Sequence, residues 1–340
     1  MTKHEPVTFP ADIKLLLNIL GYRRKHDSES EFEFINDVLL PRLPNVEVFS
    51  DGDTPMVYVV RVGESRTIFS SHVDTCHRTS GRQVLAYDVE SSLIYKSTNQ
   101  EDRECLGADD GAGIFLMLEM ISSGIPGVYV FHRGEECGGI GSRWLAKQHP
   151  EFLRQFDRAI AFDRAGTSDV ITHQAMGRCC SDEFAEALAL QLNLTHELEF
   201  KPSPDGVFTD TANYVELIPE CSNLSVGYAM QHGPDEYQDV EFLLKLRDSL
   251  LNVDWESLPT VRDPSKIESG FNWYSEGLAG EDLKFMTRKE LKAWVRSSSA
   301  AEIASAIEDL LIELEGYESL AVQDTEHEFE SEPYYEEAWR

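Results

Sequence analysis

The chain predicts an α/β fold, a mostly parallel mixed sheet with helices on both faces. Two observations carry that expectation. Short β-branched and aromatic runs alternate with longer runs whose apolar residues recur at helical spacing. Carboxylates and histidines then cluster where those apolar strands end, the edge at which open α/β sheets gather functional groups.

Taken in order, an opening helix is expected over Ile13 to Leu20. A second begins near Ser28, since SESE places a hydroxyl three residues before a carboxylate, and Phe32, Ile35, Val38 and Leu39 share one face. MVYVVRV and RTIFSSH, separated by GES, read as a hairpin feeding a central strand that closes on His72. From Asp109, DGAGIFLMLEMISSG is apolar at helical spacing and ends in glycine; the strand GVYVFHR and a helix after Gly141 follow. RAIAFD reads as a strand, Ser181 to Leu192 as a helix, CSNLSVGY as a strand and Val240 to Leu251 as a helix. Past Pro259, TRKE and SAAE are further capping boxes, opening short C-terminal helices near Arg288 to Val295 and Ala300 to Leu314. The final stretch, 321–340, is acidic with scattered aromatics and reads as a flexible tail. No internal repeat is evident.

The 340 residues are 41% hydrophobic, enough for a substantial core, so wholesale disorder is excluded. With 61 acidic against 30 basic side chains, a formal charge of −31 repels phosphates, and neither nucleic acid nor an anionic membrane surface is an expected partner. No run approaches the roughly eighteen apolar residues of a membrane span. The opening MTKHEPVTFPADIK lacks the charged-then-apolar pattern of a signal peptide, so a cytoplasmic protein is expected. Six scattered cysteines without a CxxC pair read as reduced thiols.

Five segments place carboxylates or histidines at expected strand ends: HVD (His72, Asp74), GADDGAG (Asp109, Asp110), GEECG (Glu135, Glu136), FDRAG (Asp163) and QHGPDE (His232). Singly, each has a bland explanation: a hydrogen-bonded histidine, a DDG turn, a solvated glutamate pair. Together they form the ligand set of zinc or a similar divalent ion, and a carboxylate with two oxygens can bridge a pair of them. A spare carboxylate beside the ligands meets the need for a proton acceptor.

These motifs, in this order over roughly Leu15 to Leu251, resemble the di-zinc exopeptidase clan, which includes peptidase T and carboxypeptidase G type enzymes and the bacterial leucyl aminopeptidase type. The resemblance implies a three-layer sandwich and two divalent ions, zinc foremost. His72 and Asp163 would be terminal ligands of one, Glu136 and His232 of the other, and Asp109 the bridge. Glu135 would be the general base that takes a proton from the bridging water and returns it to the leaving amine, and Asp74 the carboxylate that orients His72. Cys76 could bind a soft ion, although the clan's pattern does not ask for it. EECGGIGS resembles the aminopeptidase branch and SSHVDT the peptidase T branch. The short interval between Asp163 and His232 leaves no room for an inserted lid domain. Asp210 in FTDTANY resembles an acid near the site in lidless members, or else stabilises a helix N-terminus. Tyr214, Tyr228 and Arg178 are candidates for stabilising an oxyanion, with core packing and surface charge as the competing readings.

The expected activity is therefore zinc-dependent exopeptidase hydrolysis, as aminopeptidase or dipeptidase, on a peptide or small amide. An amidohydrolase removing acyl groups is the alternative within enzymes, and a catalytically silent metal-stabilised binding module the alternative outside them. The expected organisation is a catalytic domain over 1–258, a helical extension over 259–320 and the tail. Apolar stripes in the extension (Leu291, Trp294 and Val295; Ile303, Ile307, Leu310 and Leu311) would need cover from the catalytic domain or a second copy of the chain, hence a homo-oligomer as an expected partner state.

Overall fold

Eight strands form the central sheet in a computed structural model that describes residues 13–97, 103–174 and 177–266. In chain order the strands of this sheet and its main helices are α1 (Lys14–Leu20), α2 (Glu29–Phe34), β1 (Glu47–Asp51), β2 (Thr54–Val62), β3 (Thr67–His72), α3 (Ala108–Ser122), β4 (Gly127–His132), α4 (Ile140–Gln148), β5 (Arg158–Arg164), β6 (Asp169–Ile171), α5 (Asp182–His196), β7 (Lys201–Ser203), β8 (Glu220–Ser225) and α6 (Val240–Leu250). The sheet order is β7-β6-β8-β5-β3-β4-β2-β1. Strands β8, β5, β3 and β4 are mutually parallel and central, while β2 and β1 add antiparallel to one side. The C-terminal helices and acidic tail expected beyond residue 266 lie outside the described residues.

Alternation along the strands builds a core on each face. Tyr58, Val60, Phe69, Tyr129, Phe131, Ile160 and Phe162 pack beneath α1, α3, α5 and α6. Their neighbours Val57, Val59, Ile68, Val128, Val130 and Ala159 pack on the other face against Leu145 of α4 and Phe152, Leu153 and Tyr214. This is the expected three-layer sandwich. The expected hairpin between MVYVVRV and RTIFSSH does not form. Instead β4 inserts between β2 and β3, pairing antiparallel with one and parallel with the other. The wholly apolar VYVF of β4 suits a strand buried on both faces, and β2 turns back on β1 instead.

At the second helix Ser28 caps as expected, its Oγ accepting from the Glu31 amide at 3.3 Å. The Glu31 carboxylate accepts from the Asp27 amide at 2.7 Å and takes both the Nε and Nη2 of buried Arg133, at 3.0 and 2.8 Å. Phe34, not Phe32, enters the core; Phe32 stays partly exposed under the Arg133 guanidinium. Helix α3 is buried on nearly every side, because it is sandwiched between the sheet and the helices outside it. A Cβ on Gly113 would lie 2.5 Å from the Phe162 carbonyl oxygen, so glycine there lets the helix press onto β5.

Between Asp163 and His232 the chain supplies β6, β7 and β8 to this same sheet and α5 to its face, with no inserted lid among the described residues. Chain beyond the expected boundary at Leu258 stays packed on the sheet. The Val261 and Arg262 amides donate to Glu220, and the Arg262 guanidinium reaches the carbonyls of Val215, Ile218 and Pro219. Among the described residues no helix is long and apolar enough to cross a membrane.

Candidate metal centre

Strands β3, β4, β5 and β8 end at one edge of the sheet, and the loops there bring the ionisable groups together. His72 is the last residue of β3 and is buried. Its Nδ1–H donates to the main-chain carbonyl of Asp74 at 3.0 Å, because a carbonyl only accepts. That bond turns Nε2 toward the carboxylates, 3.0 Å from Asp109 Oδ1 and 3.6 Å from Asp163 Oδ1.

Asp109 sits outside the helical body of α3, and the peptide bond to Asp110 is cis. The two aspartates divide the work. Asp110 accepts from the Gly113 amide and the His72 amide, so it caps the helix and braces β3. Asp109 faces both histidines, with Oδ1 toward His72 and Oδ2 3.1 Å from His232 Nε2. His232, half exposed with a left-handed backbone (φ 64°), also lies 3.4 Å from Glu136 Oε2. Asp163 accepts from the Tyr228 hydroxyl at 3.0 Å and the Thr209 hydroxyl at 2.7 Å, which hold its carboxylate toward His72.

Two loop clamps set the remaining positions. The expectation that the Asp74 carboxylate orients His72 is corrected: its Oδ1 is 3.8 Å from Nδ1, beyond hydrogen-bond range. That buried carboxylate instead accepts from the amides of Gly134 (2.8 Å), Glu135 (3.1 Å) and Glu136 (3.2 Å). Gly134, at φ 76°, turns the chain so that these three amides converge on it. Glu236 does the same for the other loop, accepting from Leu106, Gly107 and Asp109 at 2.7, 2.9 and 3.1 Å. Buried Arg24 ties the two together from below through the carbonyls of Val73, Ile19 and Gly107. Glu236 and Arg24 were missed in the sequence. Glu236, four residues past His232 within the same polar QHGPDE run, was the available signal.

For Asp74→Asn we expect metal affinity or activity to fall about 10- to 100-fold. An amide has a single acceptor oxygen and cannot serve all three loop N–H groups, so any ion held through Glu136 should weaken more than one held through His72. Metal titration of the variant checks this; two unchanged affinities would contradict the clamp.

Among the described residues three donor groups lie close enough to share an ion: His72, Asp109 and Asp163; Cys76, Glu136 and His232; and His26, Asp27 and Glu31. The third is neutralised by Arg133, which bonds both Asp27 and Glu31. In the first two, donor separations of 3.0, 3.6 and 3.4 Å compare with about 3.3 Å for ligands placed tetrahedrally around zinc. Glu136 Oε1 is buried without a hydrogen-bond partner. Burial and the Asp109 charge push Asp163 up to about 7, the mark of carboxylates crowded together with too little positive charge. The first two groups are candidate metal-ligand sets.

Glu135 is half-buried beside them. Burial raises its carboxyl well above the usual carboxylate range; His72 opposes this, while Asp163, Asp210 and Glu136 add to it. Asp210 is buried with its Oδ2 3.1 Å from His132 Nδ1, a contact behind the site. The Tyr214 hydroxyl is engaged with His132 Nε2, and Arg178 pairs with Asp182 at the start of α5. Both groups thus have partners within the fold, and the Tyr228 hydroxyl serves Asp163.

The fold and site define a three-layer α/β sandwich with a histidine–carboxylate cluster at the C-terminal edge of its parallel strands. No protein-family model and no curated protein matches the chain. Solved structures do match. A tripeptidase from Staphylococcus aureus superposes with a TM-score of 0.59 at 14% identity, over 72% of this chain and 97% of the other. The aminopeptidase PepT of Bacillus cereus gives 0.56 at 15% identity, over 71% and 96%. The LapA aminopeptidase of Legionella pneumophila gives 0.50 at 16% identity, over 74% and 70%. The chain shares the fold of these peptidases.

Proposed function

We propose that this chain is a zinc-dependent exopeptidase, an aminopeptidase or dipeptidase that hydrolyses the peptide bond nearest a free amino terminus. One observation carries the reading: the two oxygens of Asp109 face His72 and His232 separately, with Asp163 and Glu136 beside them and Glu135 adjacent. His72, Asp109 and Asp163 would hold one ion, and Asp109, Glu136 and His232 the other. Such a pair supplies Lewis acidity toward the substrate carbonyl and acidifies a water toward neutrality.

The residues of the chain do the rest. Glu135 accepts the proton of the attacking water and delivers it to the departing amine, a role suited to a carboxyl whose pKa burial has raised. Asp74 and Glu236 keep the ligand loops from relaxing, so the donors are positioned before substrate arrives. The carboxylate-rich edge favours a substrate ammonium over a blocked, neutral terminus.

The test is a paired assay of the zinc-reconstituted chain on free and N-acetylated di- and tripeptides. Hydrolysis of the free peptides alone is expected. Cleavage confined to the acylated forms would make the chain a deacylase, and metal binding without turnover of either would make it a binding module.

A further inference from the structure

One of the two donor sets contains a side chain that the hydrolytic reading leaves idle. Cys76 lies in the loop after β3, two residues beyond Asp74. That loop is well anchored: the Thr75 amide donates to the Arg24 carbonyl at 2.9 Å, and Thr75 pairs with Lys25 in an isolated parallel bridge. The Cys76 thiol donates to Glu136 Oε2 at 2.9 Å. Its sulfur, a Glu136 oxygen and a His232 ring nitrogen all lie within 4.8 Å of one another. The Glu136 side chain is only 9% exposed, and its Oε1 has no hydrogen-bond partner, so a buried acceptor atom is left over within this set.

We propose that Cys76 is a direct ligand of the ion held by Glu136 and His232, with its thiol proton released to solvent as the sulfur coordinates. This rests on the two-ion reading above. The two subsites then differ in chemistry. His72, Asp109 and Asp163 offer one nitrogen and carboxylate oxygens, whereas His232, Glu136, Asp109 and Cys76 add a thiolate. A thiolate favours zinc, cobalt and cadmium over manganese or magnesium, so soft ions should fill the Cys76 subsite first and hard ions the His72 subsite. His232 is half exposed, which puts the thiolate subsite on the solvent side of the pair.

The experiment loads the full-length chain with Co²⁺ and, separately, Cd²⁺, counting bound ions by elemental analysis and recording ultraviolet absorption. The wild-type protein should show a thiolate-to-metal charge-transfer band that grows with the first ion bound. Cys137→Ser, which removes the exposed neighbouring thiol, should keep that band, and Cys76→Ser should lose it while still binding metal. Iodoacetamide labelling followed by peptide mapping gives a second measure on unmutated protein: Cys76 should be protected when loaded and labelled after chelation. A pair of bound ions with no charge-transfer band, or a band that survives Cys76→Ser, overturns the proposal and leaves the two-ion reading intact. Failure to bind either metal overturns both.

Discussion

Glu135→Gln is expected to slow hydrolysis of a free dipeptide by roughly 10²- to 10⁴-fold, the contribution usual for a positioned general base. The amide keeps the size and shape of the carboxylate but cannot accept a proton. Metal content should stay near wild type, because the proposed ligand sets are His72, Asp109 and Asp163 on one side and Glu136 and His232 on the other. The Glu135 amide is held by Asp74 independently of its own side chain, so the loop geometry should survive the substitution. Steady-state kinetics beside elemental analysis checks this. Unchanged kcat would place the base elsewhere, and lost metal would make Glu135 a ligand.

Asp109→Ala is expected to abolish metal binding and activity together, a larger loss than His232→Ala. Asp109 faces both histidines, at 3.0 and 3.1 Å, so its removal opens both sets at once. It would also leave His72 and His232 without a shared anion between them. His232 serves one set and is half exposed, so solvent can take its place; its loss should spare the ion beside His72. Calorimetric titration distinguishes the two variants. An Asp109→Ala protein that still binds two ions with only the roughly 10- to 100-fold weakening of an outer-shell partner would rule out the bridging role.

The layers of the fold were legible because their signal is local: short β-branched, aromatic and apolar runs in RTIFSSH and RAIAFD, helical spacing from Gly111 onward, and capping at Ser28 and Ser181. Strand order was not. Nothing in MVYVVRV or RTIFSSH reveals that β4, more than fifty residues downstream, separates them. The gathering of His72, Asp109, Glu136, Asp163 and His232 was legible for a related reason, since a polar residue closing an apolar run must lie at a sheet edge. What the neighbouring carboxylates do was hidden, because it depends on where loop amides point. Asp74 shares a tripeptide with His72 yet spends its carboxylate on the Glu135 loop, leaving its carbonyl to orient the imidazole. Glu236 and Arg24 act through backbone groups far away in sequence, which no residue pattern encodes. Cys76 gained its significance only when the Glu136 loop folded beside it.

The central claim is that one buried aspartate joins two ligand sets into a site for a pair of ions. Elemental analysis of the purified chain after zinc reconstitution and removal of free metal tests it most directly. About two divalent ions per chain in the wild-type protein, and neither in Asp109→Ala, is the expected result. No more than trace zinc in the wild-type protein, or the same count in the variant, would contradict it.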